Sequence, residues 1–207
     1  MKTKISVLLF LTSVVSAQIF ETIGFKVGLV QSQQAWNYAD NTKFDPDGKV
    51  GINLGIFAES FNSQSFALVT ELNYVQKGAH KEIPVSSIFN PDGTGETIDA
   101  KMELSYLNIS ILAKGKFNFE AIIPYALFGP KLDYQLDASG ILWAPSFDDG
   151  LDKNRFGIKA GVGAEFSIAS YNFFAEAIYD YEFNSLFKNE HLEIKTDSFI
   201  FNLGMMF

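Results

Sequence analysis

Arg155-Phe156-Gly157-Ile158-Lys159-Ala160-Gly161-Val162-Gly163-Ala164-Glu165-Phe166-Ser167-Ile168 alternates without a break. Phe156, Ile158, Ala160, Val162, Ala164, Phe166 and Ile168 share one parity, and charged or small residues fill the other. Successive side chains of a strand point to opposite faces, so this stretch predicts a strand with one apolar and one polar face. A half-buried strand of a soluble domain averages about 5–6 residues. A strand crossing a bilayer at strong tilt needs roughly 9–11 and commonly runs past the lipid. The fourteen residues here fit the second case. Gly157, Gly161 and Gly163 all lie on the polar side, where glycine leaves room inside a narrow barrel and lets a strand bend. The expectation is a transmembrane β-barrel.

Working outward, the same period marks seven more strands: Thr22–Ser32, Lys49–Glu59, Phe66–Lys77, Lys101–Ala113, Ile122–Tyr134, Phe173–Phe183 and Thr196–Phe207. Two local features qualify the pattern. In Lys101–Ala113, Leu104 and Leu112 fall on the polar side. In Ile122–Tyr134, Pro130 cannot donate a ladder hydrogen bond, so a bulge or an edge-like irregularity is expected there. The connections alternate long, short, long, short, long, short, long, as in outer-membrane barrels with long external loops and short periplasmic turns. Aromatics collect at both predicted ends. Phe66, Phe117, Phe119, Phe166, Phe173 and Phe207 fall on the short-turn side, and Tyr74, Tyr134, Phe156, Tyr179, Tyr181 and Phe199 on the long-loop side. That is the two-girdle pattern of a barrel in a bilayer. The fold class predicted is all-β: an eight-stranded, antiparallel, closed transmembrane barrel. A soluble lipocalin-type barrel is the rival, but it requires an apolar interior and a polar exterior, the reverse of the alternation seen here.

The first segment reads as a targeting signal. Met1-Lys2-Thr3-Lys4 is basic, Ile5–Val15 is apolar but too short to span a membrane, and Val15-Ser16-Ala17 fits a small-x-small cleavage site. Residues 1–17 are therefore expected to be a signal peptide cleaved after Ala17, and residues 18–207 a single barrel domain. Removing the signal, with its two lysines and no acid, takes the formal net charge from −8 to −10. An acidic chain argues against nucleic acid, which calls for a basic footprint. The absence of cysteine excludes disulfides, thiol nucleophiles and thiolate metal sites together. After the signal no stretch is apolar enough for a membrane helix. Only a closed sheet then satisfies the backbone in lipid.

Four segments carry a family resemblance. They are Phe66-Ala-Leu-Val-Thr-Glu71-Leu72-Asn-Tyr74-Val-Gln-Lys77-Gly78-Ala79, Tyr106-Leu-Asn-Ile, Pro124-Tyr125-Ala-Leu-Phe-Gly129-Pro130, and Gly157-Ile-Lys-Ala-Gly161-Val-Gly163-Ala-Glu165-Phe. In this order and spacing they resemble the outer-membrane β-barrel domain family of Bacteroidetes-type bacteria, which includes PorT-like proteins. The resemblance covers nearly the whole chain after the signal and implies a small barrel in a bacterial outer membrane. It implies no single activity. Ser110 stands where many relatives have Pro.

The polar parity places Lys26, Lys49, Glu59, Glu71, Lys131, Asp133, Arg155, Lys159, Glu165, Glu176 and Asp180 in the predicted lumen. Unpaired charge in a narrow dry interior is prohibitive, so these groups are expected to pair across the barrel as a plug, with a gate or proton path as the functional alternative. An eight-stranded barrel is just wide enough for side chains to fill, which argues against a general pore. His80 and His191 fall in predicted external loops, and no spacing ties either to Ser86, Ser87 or Ser198 and a carboxylate. The turns Asp45–Gly48, Asp92–Gly93 and Asp148–Asp152 lack full calcium-loop spacing, and Asp-Gly is a common turn pair in its own right. Trp36 and Trp143 are expected in long loops, either as contacts for a partner or the headgroup layer or packed on the barrel rim. Phe207 ends the chain as an aromatic in a strand, as assembled outer-membrane barrels commonly do.

No cofactor, metal site or catalytic residue is expected. The function predicted is a non-catalytic membrane scaffold with a filled lumen, in contact with outer-membrane lipid and, through its external loops, with envelope proteins. A subunit of a secretion or assembly machine is the alternative, and a lipid-modifying enzyme at the outer rim the third.

Overall fold

The computed structural model describes residues 20–39, 43–44, 46–84, 97–119, 121–140, 152–188 and 191–207. Eight long strands form one antiparallel ring: β1 (Thr22–Tyr38), β3 (Asp47–Ser60), β4 (Phe66–Pro84), β5 (Thr97–Lys116), β6 (Ile122–Ser139), β7 (Asn154–Ile168), β8 (Tyr171–Glu182) and β10 (Leu192–Met206). Two short strands, β2 (Lys43–Phe44) and β9 (Phe187–Lys188), extend the upper ends of β1 and β10. Pairing of β1 with β10, from Gly24 opposite Met206 to Tyr38 opposite Leu192, closes the ring. Phe207 joins the seam as well: its amide donates to the Ile23 carbonyl at 2.8 Å, and its own carbonyl accepts from the Ile23 amide at 3.3 Å.

The lower half behaves as the alternation predicts. Ile23, Phe25, Val27 and Leu29 of β1, Ile52, Leu54 and Ile56 of β3, and Phe201 and Leu203 of β10 face outward and are exposed. In water such a surface would aggregate, but in lipid it is the solvent-facing side. The strands then continue past this band, and the alternation changes sign. On β1 the outward residues become Gln31 and Gln33 while Trp36 points in; on β10 they become Asp197, Lys195 and Glu193 while Ile194 and Leu192 point in. On β5, Glu103 and Lys101 face out while Leu104 and Met102 are buried. The upper part of the barrel is thus a collar, polar outside and apolar inside, standing clear of the lipid band.

This collar explains two departures from expectation. Strands are longer and upper connections shorter than predicted, so His80 lies in β4 rather than in a loop. Trp36 lies in β1 and is 5% exposed, packed in an inner cluster with Tyr106, Leu104, Ile194 and Phe187; its expected place in a loop and its reading as an exposed contact are corrected. Trp143, Ser86, Ser87 and the turns at 92–93 and 148–151 fall outside the described residues.

The ladder has three irregular places. Opposite Pro130 the β5–β6 pairing lapses between Ser110–Lys131 and Ala113–Phe128 without a change of register, an interruption rather than a bulge. A bulge occurs higher on β6, where Ser105 pairs with Asp137 but Tyr106 pairs with Gln135. A second bulge shifts β3 against β4 between Gly48 and Asn53. At the lower end β7 and β8 are joined by the two residues Ala169 and Ser170, with Ile168 opposite Tyr171.

Candidate functional site

The interior is the only place where the chain concentrates chemistry among the described residues, and it is organised in three levels. At the lower level Lys114 bridges Glu59, at 2.5 Å, and Glu165, while Lys116 reaches Glu59 at 3.2 Å and Asn62 at 2.7 Å. Phe57, Leu112, Leu127 and Phe174 pack among and above these groups, and Lys114 lies over the Tyr125 ring, 4.3 Å from its centre. At the middle level Lys26 donates to Glu71 at 2.6 Å and Glu176 at 2.9 Å. Glu71 also accepts from Lys159 at 3.2 Å, and Glu176 from Tyr125 at 3.1 Å and Asn202 at 2.9 Å.

At the upper level Lys77 donates to Asp133 at 3.1 Å, Asp180 at 3.0 Å and Glu182 at 2.7 Å. Lys131 donates to Asp133 at 2.8 Å and pairs with Asp180, and Arg155 pairs with Glu182. Asn108 links the two higher levels, donating to Asp133 and accepting from Lys159 at 2.7 Å. The collar's apolar cluster, with Trp36, Leu104 and Tyr106, closes the lumen above them.

Each level is electrically closed. The lower level holds Lys114 and Lys116 against Glu59 and Glu165. The middle level holds Lys26 and Lys159 against Glu71 and Glu176. The upper level holds Lys77, Lys131 and Arg155 against Asp133, Asp180 and Glu182. Cations equal carboxylates at every level, so the attraction within the pairs offsets the desolvation cost that each charge incurs on leaving water. The cavity beside Lys26, Glu71 and Glu176 measures ≈ 10 Å³, too little to hold a water molecule with ease. Asp133, Asp180 and Glu182 lie close enough to surround a cation, but the ammonium groups of Lys77 and Lys131 already occupy that position.

Ten of the eleven residues assigned to the lumen point into it: Lys26, Glu59, Glu71, Lys131, Asp133, Arg155, Lys159, Glu165, Glu176 and Asp180 are all buried. Lys49 does not, and its assignment is corrected. The β3–β4 bulge reverses the facing of β3 above it, so Lys49 passes over Gly78 on the outside and pairs with Glu103. Lys77, Lys114, Lys116, Glu182 and Asn108 complete the interior and are not among the predicted site residues. Lys77 and Glu182 have the lumen parity of their strands, so the signal is present for them; Lys114 and Lys116 lie in a segment that reads as a turn. Ser198 faces the lumen, whereas His80 belongs to the outward parity of β4, so the wall separates them.

A family profile described as outer membrane protein beta-barrel domain matches residues 17–188. No curated protein matches the chain. Among solved structures the chain is similar to Ail, the attachment invasion locus protein of Yersinia pestis, at 15% identity, 90% of this chain, 98% of that chain and a TM-score of 0.44. It is similar to the outer membrane protein OprG from Pseudomonas aeruginosa at 10% identity, 91% and 97% coverage and a TM-score of 0.49. Neisserial surface protein A gives 14% identity, 87% and 96% coverage and a TM-score of 0.42.

Proposed function

The chain belongs to the outer membrane protein beta-barrel domain family, and from that premise we propose that it is a non-catalytic, non-conducting scaffold whose collar contacts other envelope proteins. It resides in a bacterial outer membrane. The observation that carries the proposal is the interior: three charge-neutral levels interleaved with two apolar clusters fill it with side chains, which supports a lumen without an aqueous path. A filled lumen supplies rigidity, and a rigid wall is what holds contact surfaces in place. Export follows from the signal expected at residues 1–17.

Planar-bilayer recording of the folded, purified protein tests the reading. The expected result is a silent membrane; reproducible unitary openings would end the scaffold proposal in its non-conducting form. The four segments resembling PorT-like barrels support a narrower version, in which the collar is a subunit contact within a secretion or assembly machine. Gentle detergent extraction separates the two versions. A particle holding this chain alone fits the autonomous scaffold, and a large particle of fixed composition fits the machine.

A further inference from the structure

The outer face of the closing seam is built of cross-strand rows. At the top of the collar Lys43 of β2 lies opposite Asn37 of β1, Asn37 opposite Glu193 of β10, and Glu193 opposite Lys188 of β9. The next row on the same face holds Lys195, opposite Ala35. All three lysines are exposed. Glu193 lies 3.8 Å from Lys188 and 3.9 Å from Lys195, and it also accepts from the Ser185 hydroxyl at 2.7 Å. Lys43 has no ion-pair partner among the described residues. The carboxylate below them, Asp197, accepts from the Tyr179 hydroxyl at 2.8 Å. Among the described residues of this face, cations therefore outnumber carboxylates, in a chain whose formal net charge is −8. On the other side of the collar each lysine has an acid of its own: Lys49 pairs with Glu103, Lys81 with Asp47 at 3.7 Å and Lys101 with Asp99 at 2.9 Å.

Beneath the lysines the same wall changes character in steps. First come Gln33 opposite Asp197, and Gln31 opposite Phe199 with Tyr179 on its far side, a layer of amide and hydroxyl groups. Then Leu29, Phe201, Ala177 and Val162 form one apolar row across β1, β10, β8 and β7. Because β7 and β8 carry small side chains here, beside the larger Phe201 and Leu203, the wall has an apolar groove of ≈ 760 Å³. It lies on the strands of the seam, below the lysines. Lys195 and Phe201 are six residues apart on β10, about 20 Å along the strand and about 15 Å in height at the tilt of a membrane barrel. This spacing selects the kind of lipid. A glycerophospholipid carries its phosphate directly on its glycerol and leaves the amide layer unfilled. A sugar headgroup fills that layer with hydroxyls and lifts its phosphates to the lysines. Lys43 and Lys188 stand three strand spacings apart, about 14 Å, the span of a disaccharide phosphorylated at both ends.

We infer that the seam face binds a phosphorylated glycolipid of the outer leaflet, with its phosphates against Lys43, Lys188 and Lys195 and an acyl chain in the groove below. The inference rests on the outer-membrane placement, with the collar external, and not on whether the lumen conducts.

Native mass spectrometry of the folded protein in detergent micelles tests it. Diphosphoryl lipid A, the same lipid with both phosphates removed, and phosphatidylglycerol are offered at equal concentration. The expected result is retention of diphosphoryl lipid A in preference to both others. In Lys188→Gln/Lys195→Gln that retention falls about tenfold, the combined effect of two exposed charge contacts. Lys101→Gln, on the other side of the collar, leaves it unchanged. Heat-modifiable gel mobility confirms that each variant is folded. Equal retention of the dephosphorylated lipid or of phosphatidylglycerol would overturn the assignment. So would undiminished retention in the folded double variant, or an equal fall in Lys101→Gln. Should the double variant fail to fold, Ala177→Phe decides, because this residue faces lipid and its larger side chain fills the groove: retention must fall there too, and unchanged retention overturns the assignment.

Discussion

Two residues show how much single positions matter in a wall this thin. Ala169 is the first residue of the two-residue β7–β8 turn and has φ 56°. Such a turn favours glycine at this place, and a left-handed L-residue costs about 1–2 kcal/mol. Glycine adds back about 0.4–1 kcal/mol of unfolded-chain entropy. Ala169→Gly is therefore expected to stabilise the barrel by about 0.5–1 kcal/mol, measured as a raised urea midpoint for refolding in micelles. Ser32 acts differently. Its hydroxyl accepts from the Gly78 amide at 2.8 Å and lies 2.6 Å from the Gly78 carbonyl and 3.1 Å from the Lys49 carbonyl, serving backbone groups that the bulge releases. Ser32→Ala leaves them buried without a partner, at a cost of about 1–3 kcal/mol in the same measurement.

At the scale of strands, the side-chain period of two makes most of the interior legible in the sequence. Parity alone places Arg155, Lys159 and Glu165 inside, and does the same for Glu176 and Asp180 on the neighbouring strand. The failures have equally definite causes. A bulge adds one residue without leaving a mark in the alternation, so parity puts Lys49 on the wrong face. Trp36 escapes because the contrast between faces inverts above the lipid: a reading that ends a strand where the outward residues cease to be apolar stops near Ser32. Leu104 and Leu112, awkward on a polar face, are the apolar layers of the lumen. The chain has no cysteine of its own, so single introduced thiols report facing directly. Lys49→Cys is expected to react with a polar maleimide added outside, and Asn53→Cys, below the bulge and buried, to remain unlabelled. Equal labelling of the two would remove the reversal.

For the molecule as a whole, charge balance is the governing constraint. Lys77→Met leaves its level with Lys131 and Arg155 against three carboxylates, and an uncompensated buried charge of this kind costs about 3–5 kcal/mol. Adding Asp180→Asn restores neutrality and leaves Lys131 its contacts to Asp133 and Glu182. The double variant is expected to be more stable than Lys77→Met alone, read from urea refolding midpoints. Finding the double variant weaker than either single change would mean that geometry, not net charge, sets stability here.

The levels also draw on distant parts of the chain: the middle one takes Lys26 from β1, Glu71 from β4, Lys159 from β7 and Glu176 from β8. No hairpin emerging by itself completes the middle level, although Arg155 and Glu182 of the β7–β8 pair meet at the upper one. A sheet that has curled but not joined its first strand to its last still presents Glu176 without Lys26. Zipping the seam and neutralising the interior are one event, so the barrel has no comfortable halfway form in which to rest. Completion of the interior is what tells a finished barrel from an unfinished one.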